Sequence, residues 1–184
     1  MKIGVVGCAG RMGQNLVKEI FKTKGCEFSG GTEGPKNVAL GEDVGLYLGL
    51  PKCGKLVTED TEGLFAVSDV VIDFTLPKVT AKHLKFAQKH DTSVILGTTG
   101  HDENEFQFIK ESAENIPIVK AMNFSIGVNA LFALTEQLSK LLDDNFDVEI
   151  FEMHHRHKVD APSGTAIALG EAAAKGRSVD LSDV

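Results

Sequence analysis

The first third of the chain contains two different spacings of apolar residues. Residues 2–6 and 26–32 form short apolar runs of the length typical of buried strands. Between them, residues 11–24 place an apolar side chain at every third or fourth position, as an amphipathic helix does. These segments predict a β-α-β unit. The glycine-rich stretch 34–55 shows neither spacing, and we predict an extended surface loop there.

The same alternation continues through the middle of the chain. Strands alternating with helices indicate a parallel, doubly wound sheet of the Rossmann type, and thus the α/β class. We assign residues 1–125 to a dinucleotide-binding domain on this basis. The further predicted elements are strands at 69–74, 93–96 and 117–120, and helices at 77–90 and 103–114.

Beyond residue 125 the order of predicted elements changes. A helix at 128–142, an alternating strand at 147–153 and an alanine-rich helix at 165–175 predict a second, α+β domain over residues 126–184. The last eight residues contain no strand that would complete a second sheet. We therefore expect a truncated domain for substrate binding and oligomerisation.

Composition and charge exclude several classes of protein. The net charge of -7 argues against a nucleic-acid partner, because binding phosphates requires a basic face. The longest apolar runs are shorter than the roughly 20 residues that cross a bilayer. The amino terminus begins directly with a strand and lacks the apolar region of a signal peptide, so we expect a cytoplasmic protein without a membrane partner. Cys8, Cys26 and Cys53 are widely spaced, which argues against a disulfide framework or a zinc ribbon.

A glycine-rich turn follows the first predicted strand. Gly7-Cys8-Ala9-Gly10-Arg11-Met12-Gly13 is a GxxGxxG variant of the dinucleotide fingerprint, located between a strand and a helix as a functional copy requires. Glycines there allow the backbone to approach a pyrophosphate, whose charge is met by free N–H groups at the helix start. A purely structural turn remains the alternative.

Glu33 stands at the end of the second predicted strand, about 20 residues past the fingerprint. An acidic side chain at this place accepts hydrogen bonds from the ribose hydroxyls of NAD and repels the additional phosphate of NADP. Gly34 follows in place of an arginine, and Lys36 is the nearby cation along the sequence. NADH is thus the preferred cofactor and NADPH a possible one, and a merely solvated Glu33 remains the alternative.

Two further predicted strands end in polar or glycine residues. Asp73-Phe74-Thr75 follows one strand and Gly97-Thr98-Thr99-Gly100 follows the next. Ligands of open α/β sheets bind at the carboxyl edge, where both segments are predicted to lie. We expect them to flank the nicotinamide and its ribose.

The segment 152–166 contains the most specific pattern in the chain. Three histidines and a lysine fall within residues 154–158, and Ser163-Gly164-Thr165 opens the last predicted helix. Imidazoles exchange protons near neutral pH, and a helix start with hydroxyl groups binds a carboxylate. The combination suits a small dicarboxylate. A metal site and a plain surface loop are the alternatives; we predict no metal, because His154 and His155 would point to opposite sides of a continuing strand.

This segment resembles the dihydrodipicolinate reductase family, also called 4-hydroxy-tetrahydrodipicolinate reductase, whose signature is Glu-x-His-His-x-x-Lys-x-Asp-Ala-Pro-Ser-Gly-Thr-Ala. The fingerprint, Glu33, residues 73–75, residues 97–100 and Asn123-Phe124-Ser125-Ile126-Gly127-Val128-Asn129 follow in family order. The resemblance implies a reductase of the diaminopimelate and lysine pathway. A hydride from NAD(P)H would reach the ring carbon that loses its hydroxyl, and protonation of the neighbouring carbon would complete tetrahydrodipicolinate.

The resemblance also implies roles for individual residues. His154 would be the general acid/base and Lys158 a proton donor. Substrate would contact His155, Lys158, Ser163, Gly164 and Thr165. The implied cofactor contacts are Gly7, Cys8, Ala9, Gly10, Arg11, Met12, Glu33, Gly97, Thr98, Thr99, Ala121, Met122, Asn123 and Phe124. Thr75 joins this predicted set because of its place at the carboxyl edge of the sheet.

Two departures from the family bear on these implications. Some relatives have arginine where this chain has Gly34, and family members continue past residue 184 to complete a sheet that joins subunits into a homotetramer. The competing hypotheses are another Rossmann dehydrogenase of the aspartate-derived pathways and a catalytically inactive NAD-binding fragment.

Overall fold

The computed structural model describes residues 1–142, 145–154, 156 and 161–183. The chain divides into two compact units, Met1–Lys120 and Ala121–Val184, which are described separately below.

The first unit contains a six-stranded sheet in which every pair of neighbouring strands is parallel. The spatial order is β3-β2-β1-β4-β5-β6, which is the Rossmann order and confirms the predicted fold class. The order reverses between β1 and β4, and ligands of such sheets bind outside the carboxyl ends of the strands at this point. The strands are β1 (Lys2–Val6), β2 (Glu27–Thr32), β3 (Val57–Thr58), β4 (Val70–Asp73), β5 (Ser93–Leu96) and β6 (Ile118–Lys120).

Five helices connect these strands. Pro77 begins the fourth of them, where its missing N–H is no loss, and Asp102 with Glu105 forms a capping box at the start of the fifth. The helices are α1 (Arg11–Lys22), α2 (Val44–Tyr47), α3 (Thr61–Ala66), α4 (Pro77–His90) and α5 (Glu103–Ala113).

Apolar side chains cover both faces of the sheet. Because successive strand residues point to opposite faces, Ile3 and Val5 belong to one buried cluster and Val6 to another. The first cluster also contains Val17 of α1, and the second contains Leu84 of α4. Packing on both faces fixes the strand ends, and thus the loops that follow them.

The prediction of an extended surface loop at 34–55 is wrong. This stretch contains α2, and Ala39, Val44 and Leu48 are buried in the first apolar cluster. Asp43 organises it: its carboxylate accepts backbone N–H bonds from Leu46, Cys53 and Gly54. Burial alone would raise the pKa of Asp43, but these bonds outweigh it and lower the pKa. The side chain of Asp43 thus supplies order that hydrophobic spacing does not show.

The second unit contains α6 (Ile126–Leu141), α7 (Gly164–Gly176) and a short 3-10 helix at Leu181–Asp183. Gly176 permits the close approach of the two α-helices, because a Cβ there would lie 2.4 Å from the carbonyl oxygen of Glu136. Lys175 adds a 2.9 Å ion pair to Glu136.

The predicted strand at 147–153 is also wrong. Within the described part of the second unit no residue is in a β-strand. A strand requires a hydrogen-bonding neighbour, and the described residues of this unit offer none. The apolar side chains of residues 147–153 are exposed instead, and Phe151 has a relative exposure of 91%.

Candidate functional site

The glycine turn between β1 and α1 has the geometry of a dinucleotide fingerprint. Gly7 adopts a φ of 70°, in the left-handed region that favours glycine. A Cβ on Gly13 would lie 2.0 Å from the carbonyl oxygen of Gly7, so only glycine allows the helix to pack this tightly on the turn. Gly10 holds the N-cap position and has no side chain to cap the helix. The N–H groups in the first turn of α1 are therefore available to an anion.

Glu33 lies beside this turn. Its Oε1 accepts a 2.7 Å hydrogen bond from the backbone N–H of Ala9, and its Oε2 accepts a 3.0 Å bond from Nδ2 of Asn37. Asn37 had no assigned role in the sequence analysis, because its contact depends on the turn after β2. The two bonds fix the orientation of the carboxylate and leave lone pairs for further donors.

A cavity of about 730 Å³ opens at the reversal point of the sheet. It brings together Gly7, Gly10, Glu33 and Thr75 from the predicted cofactor set. The cavity is lined by Lys78 and Lys82 rather than by Lys36, the cation to which the sequence analysis pointed. Its remaining lining residues are Val6, Thr32, Gly34, Pro35, Glu59, Thr61, Phe74, Leu76, Val79 and His83.

The side chain of Cys8 faces away from solvent. It is buried against β2, where a Cβ on Gly31 would lie 2.6 Å from its Sγ. Burial, and secondarily the charge of Glu33, raises the pKa of the Cys8 thiol to about 12. Only the backbone of Cys8 is therefore suited to a ligand, whereas Arg11 and Met12 of the next turn are exposed.

Asp73 joins several loops at the carboxyl edge of β4. It is 0% exposed, and its Oδ1 accepts bonds from the N–H and the hydroxyl of Thr75, at 2.9 Å and 2.6 Å. Oγ1 of Thr98 lies 3.3 Å from the same oxygen, and Nδ1 of His83 lies 2.7 Å from Oδ2. Burial raises the pKa of Asp73, but the His83 and Thr75 bonds outweigh this and hold it below its ordinary value.

Residues 73–75 were predicted from the sequence to flank the cofactor, but Asp73 itself had no predicted role and His83 was not identified. A histidine ten residues after an aspartate is an unspecific signal. Only the packing of α4 against the sheet shows that the two side chains meet.

The loop after β5 packs against the loop after β4. A Cβ on Gly97 would lie 2.2 Å from the ring of Phe74, so a larger residue could not pack there. Thr98 is buried, and Thr99 is partly buried. His101 follows, with its Nε2 at 2.9 Å from Oγ1 of Thr80, and burial, then the charge of Lys120, lowers its pKa.

In the second unit, Glu152 joins the predicted acid/base to the helix start. Its carboxylate accepts bonds from the N–H and the hydroxyl of Ser163, and the N–H bond is 2.8 Å long. Nδ1 of His154 lies 3.5 Å from Oε2 of Glu152. Ser163 in turn caps α7 by accepting from the N–H of Ala166. Glu152 had been part of the sequence pattern without a role.

Asn123 connects the other predicted residues of this unit. Its Nδ2 donates a 3.3 Å bond to Oγ1 of Thr165, and its Oδ1 accepts from the N–H of Ser125. Ala121, Met122 and Phe124 flank it in the sequence, and Gly164 precedes Thr165 at the start of α7. His155 and Lys158 lie outside the described residues.

No strand forms at His154, so strand alternation does not exclude a metal there. Among the residues that the structure describes, no group of three His, Cys, Asp or Glu side chains could hold an ion. Nor does that part of the chain contain a helix long and apolar enough to cross a membrane.

Comparison with known proteins places these features in a family. The family model for the amino-terminal part of dihydrodipicolinate reductase matches residues 1–124, and the model for its carboxy-terminal part matches residues 127–182. The chain belongs to the dihydrodipicolinate reductase family. Members with the name 4-hydroxy-tetrahydrodipicolinate reductase include a Rhizobium meliloti protein, 46% identical over 183 residues, and a Cupriavidus metallidurans protein, 44% identical over 183 residues.

The matched members of this family are longer than 184 residues. Each alignment covers 100% of this chain, but 76% of the Rhizobium protein and 69% of the Cupriavidus protein. A solved structure of the family, dipicolinate-bound dihydrodipicolinate reductase from Paenisporosarcina sp. TG-14, superposes with a TM-score of 0.75 at 26% identity. That superposition covers 96% of this chain and 66% of the solved one.

Proposed function

We propose that this chain is a reductase that uses NADH or NADPH to convert 4-hydroxy-tetrahydrodipicolinate to tetrahydrodipicolinate, in the pathway to diaminopimelate and lysine. The observation that carries the proposal is the cavity at the reversal point of a Rossmann sheet, lined by the fingerprint glycines and Glu33. Membership in the dihydrodipicolinate reductase family identifies the reaction class.

The residues of the first unit fit a dinucleotide. Gly13 packs so tightly on the turn that a Cβ would overlap it, and Gly10 leaves the start of α1 without a side-chain cap, so its N–H groups can meet a pyrophosphate. When bound, a dihydronicotinamide supplies the hydride for the reduction. Gly7, Gly10, Arg11 and Met12 would meet the pyrophosphate, and Cys8 and Ala9 would contribute backbone atoms alone.

Glu33 is the proposed basis for a preference for NADH. Its carboxylate is held by Ala9 and Asn37, so it cannot turn aside easily when a second negative group approaches. Lys78 and Lys82 line the same cavity and would partly offset the repulsion of the NADPH phosphate. We therefore propose tighter binding of NADH, with use of NADPH retained.

Of the remaining cofactor contacts, Thr75 is proposed from its place at the sheet edge and the others from the family resemblance. Thr75 stands at the cavity, and Gly97, Thr98 and Thr99 follow the neighbouring strand, where the nicotinamide end of the dinucleotide would lie. Ala121, Met122, Asn123 and Phe124 complete the proposed set. We keep residues 1–125 as the proposed dinucleotide-binding domain and residues 126–184 as the proposed domain for substrate binding and oligomerisation.

A small dicarboxylate is the proposed ligand of the second unit. Ser163, Gly164 and Thr165 begin α7, where backbone N–H groups and hydroxyls suit a carboxylate. His155 and Lys158 would add positive charge. The dipicolinate bound to the Paenisporosarcina protein is such a dicarboxylate, which supports the same ligand class here.

His154 is the proposed general acid/base and Lys158 the proposed proton donor. Glu152 lies 3.5 Å from Nδ1 of His154 and is itself held by Ser163. A carboxylate at Nδ1 favours the tautomer with hydrogen on that atom, which leaves Nε2 free to exchange a proton. We propose that Glu152 orients His154 in this way.

We also propose a homotetramer for the full-length enzyme. Exposed apolar side chains on α6, including Leu131, Leu134, Leu138 and Leu141, support burial of this helix against other protein. Sedimentation analysis of the full-length enzyme tests the assembly, and a monomer at micromolar concentration would contradict it.

Two titrations test the proposed function. NADH and dipicolinate should each bind the purified chain with an affinity measurable by calorimetry, and picolinate, which lacks one carboxylate, should bind more weakly than dipicolinate. Absence of binding of both NADH and NADPH would overturn the reductase proposal. Equal binding of picolinate and dipicolinate would overturn the dicarboxylate site alone.

A further inference from the structure

We propose that Asp73 and His83 are positioning residues that make Thr75 a recognition group for a ribose hydroxyl and unsuitable as a phosphate ligand. The inference rests on the proposed function, because it takes the cavity of the first unit to be the dinucleotide site. Neither residue was assigned a role from the sequence.

The first step is that both hydrogen-bond donors of Thr75 are already used. Its N–H and its hydroxyl point at the same atom, Oδ1 of Asp73, at 2.9 Å and 2.6 Å. A hydroxyl has one hydrogen and two lone pairs, so a Thr75 hydroxyl that donates to Asp73 can only accept from anything else.

The second step is the place of Thr75 in the cavity. A Cβ on Gly7 would lie 2.9 Å from Cγ2 of Thr75, so this threonine packs directly on the fingerprint turn. It lines the same cavity as Gly10 and Glu33. A dinucleotide bound there presents ribose hydroxyls and phosphate oxygens to this region. Phosphate oxygens only accept hydrogen bonds, so they cannot bond to a Thr75 hydroxyl that also only accepts. A ribose hydroxyl can donate a hydrogen bond to the Thr75 oxygen.

The third step is that Asp73 keeps its charge despite complete burial. A buried carboxylate is stable only when hydrogen bonds replace the lost water, and His83 supplies the bond to Oδ2 at 2.7 Å. Because the carboxylate can only accept, Nδ1 of His83 must carry the hydrogen. Thr98 approaches Oδ1 at 3.3 Å and ties the loop after β5 to the same centre.

The arrangement therefore transmits an effect from α4 to the cavity. His83 holds the carboxylate, the carboxylate orients both donors of Thr75, and Thr75 presents lone pairs to the ligand. Asp73 acts on the cofactor through Thr75 rather than by contact, since it is 0% exposed.

A double-mutant cycle tests the inference, with the dissociation constant of NADH measured by calorimetry on folded protein. Thr75→Val removes the accepting oxygen and should weaken NADH binding about tenfold, as loss of one hydrogen bond does. Thr75→Ser keeps the oxygen and should bind within about threefold of the unchanged protein. Asp73→Asn should weaken binding in the original background but add little to Thr75→Val, because the two act through one oxygen.

Two His83 variants and one control separate a positioning role in cofactor binding from a role in the stability of the fold. His83→Asn keeps an N–H donor near the place of Nδ1 and should retain NADH affinity, whereas His83→Leu should lose it to the same extent as Asp73→Asn. Thr92→Val is the matched control. Thr92 is also fully buried and donates to the carbonyl of Phe65, but it lies at the amino end of β5. It should lower the melting temperature and leave NADH affinity unchanged.

The outcomes distinguish this inference from the function on which it rests. If Thr75→Val binds NADH as tightly as the unchanged protein, or if the Asp73→Asn and Thr75→Val effects multiply, the inference is overturned and the cofactor proposal stands. If the unchanged protein binds neither NADH nor NADPH, both are overturned. If Asp73→Asn does not fold, the His83 variants still test the positioning, and an unchanged NADH affinity in folded His83→Leu would overturn the inference.

Discussion

The backbone N–H of Ala9 donates a 2.7 Å hydrogen bond to Oε1 of Glu33, which joins the glycine turn to the acidic residue after β2. Two segments 24 residues apart in sequence are thereby fixed at one rim of the proposed cofactor cavity. A ligand that bonds to Glu33 must fit the orientation that Ala9 and Asn37 impose on the carboxylate.

Glu33→Gln should reduce the preference for NADH over NADPH. The amide removes the negative charge that repels the additional phosphate and replaces one accepting oxygen with a donor. We expect NADH binding to weaken about tenfold, as for loss of one bond to a charged group, and NADPH binding to weaken less. Calorimetric titration of both cofactors measures the ratio. Glu42→Gln, an exposed substitution in the same unit, is the control, and an unchanged ratio in Glu33→Gln would contradict the assignment.

Thr165→Val should weaken binding of a dicarboxylate and leave NADH affinity nearly unchanged. The substitution keeps the shape but removes the hydroxyl that lies 3.3 Å from Nδ2 of Asn123 at the start of α7. A lost hydrogen bond to a charged group costs about 1.5–3 kcal/mol, which is more than tenfold in affinity. Titration with dipicolinate checks this, with Thr135→Val in α6 as the control. Equal dipicolinate affinity in both variants would remove Thr165 from the proposed site.

In the full-length enzyme, His154→Gln should lower kcat by roughly 10² to 10⁴ with little change in NADH affinity, because glutamine cannot exchange a proton near neutral pH. Lys158→Ala should reduce both turnover and substrate binding, since an ammonium group there would serve the anion as well as the proton transfer. Steady-state kinetics on folded, cofactor-saturated variants provide the measurement. A near-normal kcat together with a lower melting temperature in His154→Gln would indicate a structural role instead.

Cys8 should react with thiol reagents much more slowly than Cys26 or Cys53 at neutral pH. Burial raises its pKa from about 9 to about 12, which disfavours the reactive thiolate. The raised pKa also makes the free energy of unfolding depend on pH. The contribution of the neutral Cys8 thiol to this free energy is fully present below pH about 9 and is lost as the pH rises toward about 12. Labelling rates of the three single-cysteine variants check the first point. Cys8→Ala should flatten the alkaline loss of stability relative to the original chain.

Elements with a clear hydrophobic spacing are predictable from this sequence. The helix at 77–90 and the strand at 93–96 have the predicted bounds, because apolar periodicity reports directly on the buried faces that define them. The fingerprint was also predictable, because a turn that requires a φ of 70° favours glycine, and glycine is recognisable in the sequence.

Features that depend on distant partners were not predictable. Asp43 orders its loop through backbone atoms up to 11 residues away, and His83 meets Asp73 only after α4 packs on the sheet. Residues 147–153 illustrate the opposite error. Their alternation is typical of a strand, but alternation supplies no neighbour to pair with, and the described second unit has none.

Turnover of 4-hydroxy-tetrahydrodipicolinate by the purified chain tests the central proposal most directly. Loss of dihydronicotinamide absorbance should depend on both NADH and substrate, tetrahydrodipicolinate should accumulate in equal amount, and Glu33→Gln should lower kcat/KM for NADH. A folded chain that binds NADH but oxidises none of it in the presence of substrate, over times long enough to detect one turnover, would contradict the proposed reductase activity.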